Sequence, residues 1–515
     1  MKMVKSLLLV SAAGLVAASG AQAADLPVKA KPVEYVKVCS LYGAGFWYVP
    51  GSDICMKIGG YIRFQESFGA TGITAGPFST AGALNNRQVS ADQSYRSRAI
   101  LTWDTRQQTS YGTLRTYLIL GATSDNGAAA GIYANRAFIQ IAGFTMGKAS
   151  SYFDFISSAA VAYNAGHLYT PDTGDGGAIV AAYTAKLGNG VSATISAEQA
   201  RRKGIDHLRA ATMIGSTVAT TGVFTAAATL TPGGALGANE GGTNLLQDIV
   251  GNLRIDQAWG SAQVAVAAHN AGASYFGSGT GSATLTEQNG SPGTKWGWAV
   301  SPGLRLNTPM IGPGDYFQAS FTYTKGALTY ASNTPTTMVV ANGTSVGSLI
   351  MNDGGFSGTS AAPGVFELTT AWSMFASYEH FWTPSLRTSM YGSYINISRS
   401  DTLNDAMCAS GQYNLSTVAG TIGTVATVAS TRATGCNLDA SAWNIGSRSQ
   451  WNVTKDLYVG LDVVYHKLNT ATFNSAGSAT LTNSSAAGKA SSGSYTTGNQ
   501  EAVAATWRIH RDIVP

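Results

Sequence analysis

Charge is scarce in this chain. Of 515 residues, 32 are Lys or Arg and 27 are Asp or Glu, so 11% carry charge, against roughly a quarter in ordinary soluble proteins. A chain this long with so little charge is poorly suited to a conventional wetted surface. The near balance of the two signs argues against a nucleic-acid partner. Long apolar runs are missing as well: beyond the first two dozen residues nothing approaches the ~18 consecutive apolar residues of a membrane-crossing helix. Backbone in lipid must satisfy its hydrogen bonds internally, so the remaining way to cross a membrane is a closed β-barrel. Catalytic signatures are also lacking. The six histidines, His167, His207, His269, His380, His466 and His510, are scattered without metal-ligand spacing. No G-x-S-x-G elbow occurs, and "GSGTGS" at 277–282 has no strand and helix around it to make a phosphate cradle. The sequence therefore predicts no enzyme, cofactor or metal site; a barrel hydrolase with residues gathered from distant strands is the alternative.

Cysteine is limited to Cys39, Cys55, Cys408 and Cys436. Four cysteines allow three connectivities. In an oxidising compartment the expected disulfides are the two close pairs, Cys39 with Cys55 and Cys408 with Cys436.

The compartment is indicated by the N-terminus. "MKMVK" is basic, "SLLLVSAAGLVAA" is apolar and "AQA" ending at Ala23 is a small-residue cleavage site, which together predict a signal peptide over residues 1–23 and a mature start at Ala24. Residues 24–53 do not alternate well and are expected to form a pre-barrel segment, with the barrel over 54–515.

From Ile54 onward, segments of about ten residues alternate with period 2. In "YRSRAILTWDTR", Arg96, Arg98, Thr102, Asp104 and Arg106 oppose Tyr95, Ala99, Leu101 and Trp103. In "KIGGYIRFQES", Lys57, Tyr61, Arg63 and Gln65 oppose Ile58, Ile62 and Phe64, and in "DYFQASFTYT", Gln318, Ser320 and Thr322 oppose Phe317, Phe321 and Tyr323. Connection lengths alternate too. Short turns near 108–111, 143–144, 188–190, 259–260, 309–314, 383–385 and 454–456 separate long polar loops near 69–93, 124–131, 150–178, 203–245, 272–293, 326–364, 400–440 and 470–499. Seven turns and eight loops join sixteen antiparallel strands, the pattern of an all-β outer-membrane barrel. Its apolar face, with Phe321 and Leu118, is expected to meet lipid, and its polar face, with Thr322, a water-filled lumen in which an arginine would be tolerated. Trp103, Trp298, Trp372, Tyr378, Tyr394, Tyr465 and Trp507 fall on the apolar face or near strand ends, where interfacial girdles form.

The run "SLYGAGFWYVPGSDICMKIGGYIRFQ", the start "ADLPVKAKPVEYV" and "GKASSYFDF" resemble the general porins of alphaproteobacteria, the rhizobial and brucella-type family. The resemblance implies a sixteen-stranded barrel, usually a homotrimer in outer-membrane lipid and lipopolysaccharide, that passes small hydrophilic solutes and ions by diffusion. It also implies that the third long loop folds inward to narrow the pore. On that reading Arg63, Arg96, Arg98, Arg115 and Arg136 form a basic wall, and Asp154, Asp172 and Asp175 of the third loop face it as the acidic side of a constriction. Charges so opposed would set up a transverse field that orders water and orients polar solutes. A surface adhesin or receptor using the long loops is the competing reading.

Overall fold

The computed structural model describes residues 37–513 apart from 70–92, 157–160, 164–167, 209–246, 274, 277–287, 289, 334–336, 343–344, 359–362, 410–421, 425–434, 473–477 and 485–491. The expected signal peptide lies outside the described residues. The chain divides into two compact units, 1–57 and 58–515. In the first, Cys39 and Cys55 are disulfide-bonded and Trp47–Tyr48 pairs antiparallel with Cys55 and Met56. Both half-cystines and Phe46 are buried together, and Lys57 donates to the Ala44 carbonyl at 3.3 Å.

The second unit is built on sixteen long strands. They are β1 (Cys55–Phe68, from Ile58 onward), β2 (Gln93–Thr109), β3 (Gly112–Asp125), β4 (Gly131–Ile141), β5 (Phe144–Ala149), β6 (Ala178–Gly188), β7 (Val191–Gln199) and β8 (Gln247–Gln257). They continue as β9 (Gly260–Gly272), β10 (Thr294–Asn307), β11 (Tyr316–Lys325), β12 (Thr370–Phe381), β13 (Leu386–Ser398), β14 (Ala440–Thr454), β15 (Leu457–Asn469) and β16 (Gln500–Asp512). Each pairs with its neighbours in the chain, and β16 returns to β1 with Gln65 opposite Arg508. Closure leaves no unpaired edge, as lipid requires. Tight turns follow local chemistry: Asn189 and Gly190, both with positive φ of 48° and 75°, turn β6 into β7, the backbone a two-residue hairpin needs. Gly60 is required for another reason, since a Cβ there would lie 2.1 Å from the Ile100 carbonyl on β2.

The two faces separate as the alternation predicts. Outward positions such as Ile62, Trp103, Trp298, Phe321, Met374 and Ile445 are exposed, while their neighbours Gln65, Asp104, Ser320 and Ser373 are buried. Outward aromatics form a girdle across β10 to β15, with Trp298 against Tyr323, Trp372 stacked on Tyr394 at 4.9 Å, and Trp443 against Tyr465. Introducing Arg at Phe321 should destabilise the barrel by roughly 2 to 4 kcal/mol if the site lies near the bilayer midplane. Urea titration of folding into lipid vesicles measures this, and wild-type stability would reverse the face assignment.

The inward face is less wet than the polar stripe suggests. Thr322 is fully buried and its Oγ1 donates to Ser301 Oγ at 2.9 Å, so an arginine there has no room, and the expected tolerance is corrected. The cause is the long loops, which carry structure of their own. Ile205–Leu208 pairs with Gly354–Gly358, a helix spans Asp401–Ala409, and Cys408 is disulfide-bonded to Cys436. Leu328, Leu349, Ile350, Met351, Leu403, Met407, Leu438 and Leu468 join Ile395 and Ile397 in one apolar core. Gly/Ser/Thr-rich composition concealed these short apolar stretches.

Candidate functional site

The five arginines expected to form a basic wall lie on β1 to β4, and they have different partners. Arg96 makes a two-point contact with Asp125, Nε to Oδ1 at 2.7 Å and Nη2 to Oδ2 at 2.6 Å. Arg115 shares Asp104 with Arg106, and its guanidinium lies 4.8 Å from the Tyr117 ring centre. Arg136 donates to neutral groups: the Ser150 hydroxyl and the carbonyls of Asn135, Gly174 and Asp175. Arg98 reaches Asp175 at 3.0 Å, and Arg63 rests over the Tyr61 ring.

Of the three loop acids, Asp175 thus touches the wall directly. Asp172 uses Oδ1 to accept the Gly174 N–H at 2.6 Å, shaping the loop's return. Asp154 is buried against Arg201 at 3.0 Å and accepts from the Thr173 N–H and hydroxyl. Asp154 and Asp172 therefore hold the loop's shape, and both also lie within electrostatic reach of Arg136.

The rest of the loop makes contacts with strands far from its stem. Phe153 packs on Val250, Ala265 and Tyr330. The Tyr163 N–H donates to Asp462 on β15 at 2.6 Å, and its carbonyl accepts from Arg508 on β16 at 2.6 Å. Arg508 also lies over the Tyr163 ring at 4.2 Å, with Arg448 at 5.8 Å. Burial pushes the Tyr163 hydroxyl above the usual phenol range, against the opposing pull of Arg448. The Tyr169 N–H donates to Ser393 and Thr170 bonds to Ser320. Between the loop stem and β3 to β9 is a cavity of about 570 Å³ lined by Arg115, Arg136, Arg254, Tyr117, Asn252 and Gln263.

Several charged residues here were missed by the sequence reading. Arg448 on β14 and Arg508 on β16 fall on inward positions of alternating segments, a signal legible in the sequence. Arg448 is fully buried and pairs with Glu379, which also receives Arg387. Arg201 sits in a loop without periodicity and left no signal. Its neighbour Lys203 is buried, and desolvation brings its ammonium down to about 8 from 10.5, with Asp353 opposing. An unfolded chain keeps that proton up to about 10.5, so the unfolded state binds more protons between about 8 and 10.5 and stability rises with pH across that window. Lys203→Met should abolish this rise, as read from unfolding temperatures at several pH values; an unchanged slope would assign it to other groups.

A sequence profile described as "Porin subfamily" matches residues 25–499. The chain is 35% identical over 212 residues to porin Omp2b of Brucella melitensis, covering 38% of this chain and 54% of that protein. Porin Omp2b of Brucella abortus is 36% identical over the same length and coverage. The chain thus spans about half the length of the curated relatives it matches. Among solved structures, the outer membrane channel DcaP of Acinetobacter baumannii superposes with a TM-score of 0.52 at 12% identity, covering 90% of this chain and 99% of that one, a likeness of fold alone. With a closed sixteen-stranded barrel, an apolar outer face and a match over nearly its whole length, the chain belongs to the porin subfamily, as a barrel of the outer membrane.

Proposed function

We propose that the protein forms a water-filled channel through which small hydrophilic solutes and ions diffuse passively, and that it assembles as a homotrimer in outer-membrane lipid and lipopolysaccharide. The observation that carries this reading is the 150–177 loop, anchored to Arg136 at its stem and to Asp462 and Arg508 near its apex. These contacts support a loop folded into the barrel. A passage would then remain along Arg63, Arg96, Arg98, Arg115 and Arg136, with Asp175 bordering it and Asp154 and Asp172 holding the loop's shape. A guanidinium-lined passage favours anions and disfavours apolar solutes, which must displace ordered water without replacing its hydrogen bonds. The chain is processed after Ala23, so that Ala24 begins the mature protein.

Single-channel recording of purified protein in a planar bilayer tests the reading. A stable open conductance carried by KCl is expected. A folded barrel that never conducts would favour an adhesin, receptor or hydrolase.

A further inference from the structure

Across β10 to β14 the apolar outer face is concave, forming an open groove of about 1030 Å³. Its floor is made of small residues, Ala319, Ala376 and Gly392, which lie opposite one another on β11, β12 and β13. The row continues into Leu304 on β10 and Ile445 on β14. Large side chains on the flanking rows make the walls, with Phe321, Met374, Tyr394 and Trp443 on one side and Phe317 and Met390 on the other. Residues two apart on a strand share a face, so a short row between two tall ones leaves a trough.

The groove has a direction. Leu304 lies near the short-turn end of β10, whereas Ile445 is nearer the long-loop end of β14, so the row climbs towards the extracellular rim. Five strands about 4.8 Å apart give it a length of about 19 Å. A strand tilt of roughly 40° inclines the row to the membrane plane by the same angle, so it rises about 12 Å, less than the ~15 Å of one leaflet. At the upper end Trp443 stands opposite Lys467 on β15, and Lys467 is paired at 2.9 Å with Glu501 on β16. Such a partly exposed pair is weak, and the ammonium has further N–H donors to offer. An acyl chain lying in the groove would bring its headgroup to this cation.

In a bilayer a concave apolar surface has to be filled, since a gap forfeits dispersion contacts with its lining. A protein neighbour suits the other side of the barrel better. There the outward side chains of Thr105 and Thr116, and of Glu66 and Trp507, bond to one another on β1, β2, β3 and β16. Outward polar groups of this kind favour protein contact over hydrocarbon.

We propose that the groove across β10 to β14 is a lipopolysaccharide site, in which one acyl chain lies along Ala319, Ala376 and Gly392 and the anionic headgroup is held by Lys467. The site rests on the outer-membrane setting of the proposed function and is independent of conduction.

The test uses full-length protein refolded in detergent, titrated with lipopolysaccharide and followed by native electrophoresis. Ala376→Phe fills the groove and should raise the half-saturating concentration about fivefold or more. Ala181→Phe makes the same change at an exposed position on β6 and should bind as wild type does. Lys467→Gln should weaken binding about fivefold, the effect of losing about 1 kcal/mol from one lysine at a charged surface, and its difference from wild type should shrink in high salt. Ala319→Leu fills the same floor and decides if Ala376→Phe misfolds. Wild-type binding by a folded, groove-filled variant would overturn the site, as would an equal loss in Ala181→Phe. Equal competition by phosphatidylglycerol would overturn the lipopolysaccharide assignment, and dissociation of a trimer by Ala376→Phe would make the groove a contact between copies instead. Single-channel conductance should be unchanged in all four variants, because the groove lies outside the lumen. A wild type that binds lipopolysaccharide in this way but never conducts would sink the channel reading and leave the site standing.

Discussion

Replacing Gly460 by alanine should release the apex of the 150–177 loop and give a wider, noisier channel. A Cβ at this position on β15 would stand 1.8 Å from the Tyr163 hydroxyl oxygen and 2.6 Å from the Ser449 carbonyl. The ring cannot simply move aside, because Arg508 and Arg448 hold it and its N–H is bound to Asp462. Cation–π contacts contribute about 0.5 to 2 kcal/mol each, and a hydrogen bond to a charged acceptor about 1.5 to 3 kcal/mol. Loss of this socket is therefore enough to free a segment whose described residues form no helix or strand. Tyr163→Ala should produce the same increase in single-channel conductance by removing the other partner. Because both act on one contact, the double variant should be no wider than either single one. Additive increases, or a wide Gly460→Ala channel beside an unchanged Tyr163→Ala one, would mean that the socket does not hold the loop.

The barrel was legible in the sequence because the bilayer imposes a rule on every strand. One face must be apolar at alternate positions, and turns must be short on one rim, so Trp103, Phe321 and Asn189-Gly190 each announce their place. The cysteine pairs were legible from proximity along the chain, and both form as expected. Loop structure obeys no such rule. Leu349, Ile350 and Met351 read as a minor apolar patch in a polar tract, yet they are buried in a core drawn from several loops and the strand ends beneath them. The roles of the acids were hidden for a related reason. Sequence can place Asp154, Asp172 and Asp175 in one loop, but which of them meets a cation depends on where Arg201 and Arg98 stand in space.

Replacing Arg201 by methionine should destabilise the loop side of the barrel by about 3 to 5 kcal/mol, the usual loss when one partner of a buried ion pair is removed. Arg201 is 8% exposed, bonds to Asp154 at 3.0 Å, lies 3.8 Å from Glu198 and sits over the Tyr330 ring. Its own N–H donates to Asp248, which also receives the Tyr330 hydroxyl at 2.8 Å and binds His269 at 2.7 Å. Burial disfavours the charge on Arg201, but Asp154, Tyr330 and Glu198 more than offset that and hold its pKa above the ordinary value. Arg201 thus ties three loops to β7 through its side chain and to β8 through its backbone N–H, and the same Asp248 holds His269 of β9. With the cation gone, Asp154 and Glu198 remain in a site closed to water, so neutralising one of them should recover part of the loss. Asp154→Asn combined with Arg201→Met should accordingly be more stable than Arg201→Met alone, although Asp154→Asn is destabilising in the wild type. Arg201→Lys should fall between, keeping the charge without the fork that spans two carboxylates. Thermal unfolding and limited proteolysis within 150–177 measure the two levels, the whole barrel and the loop. An Arg201→Met protein as stable and as protease-resistant as wild type would show that the buried carboxylates find other donors and that the loops do not depend on this arginine.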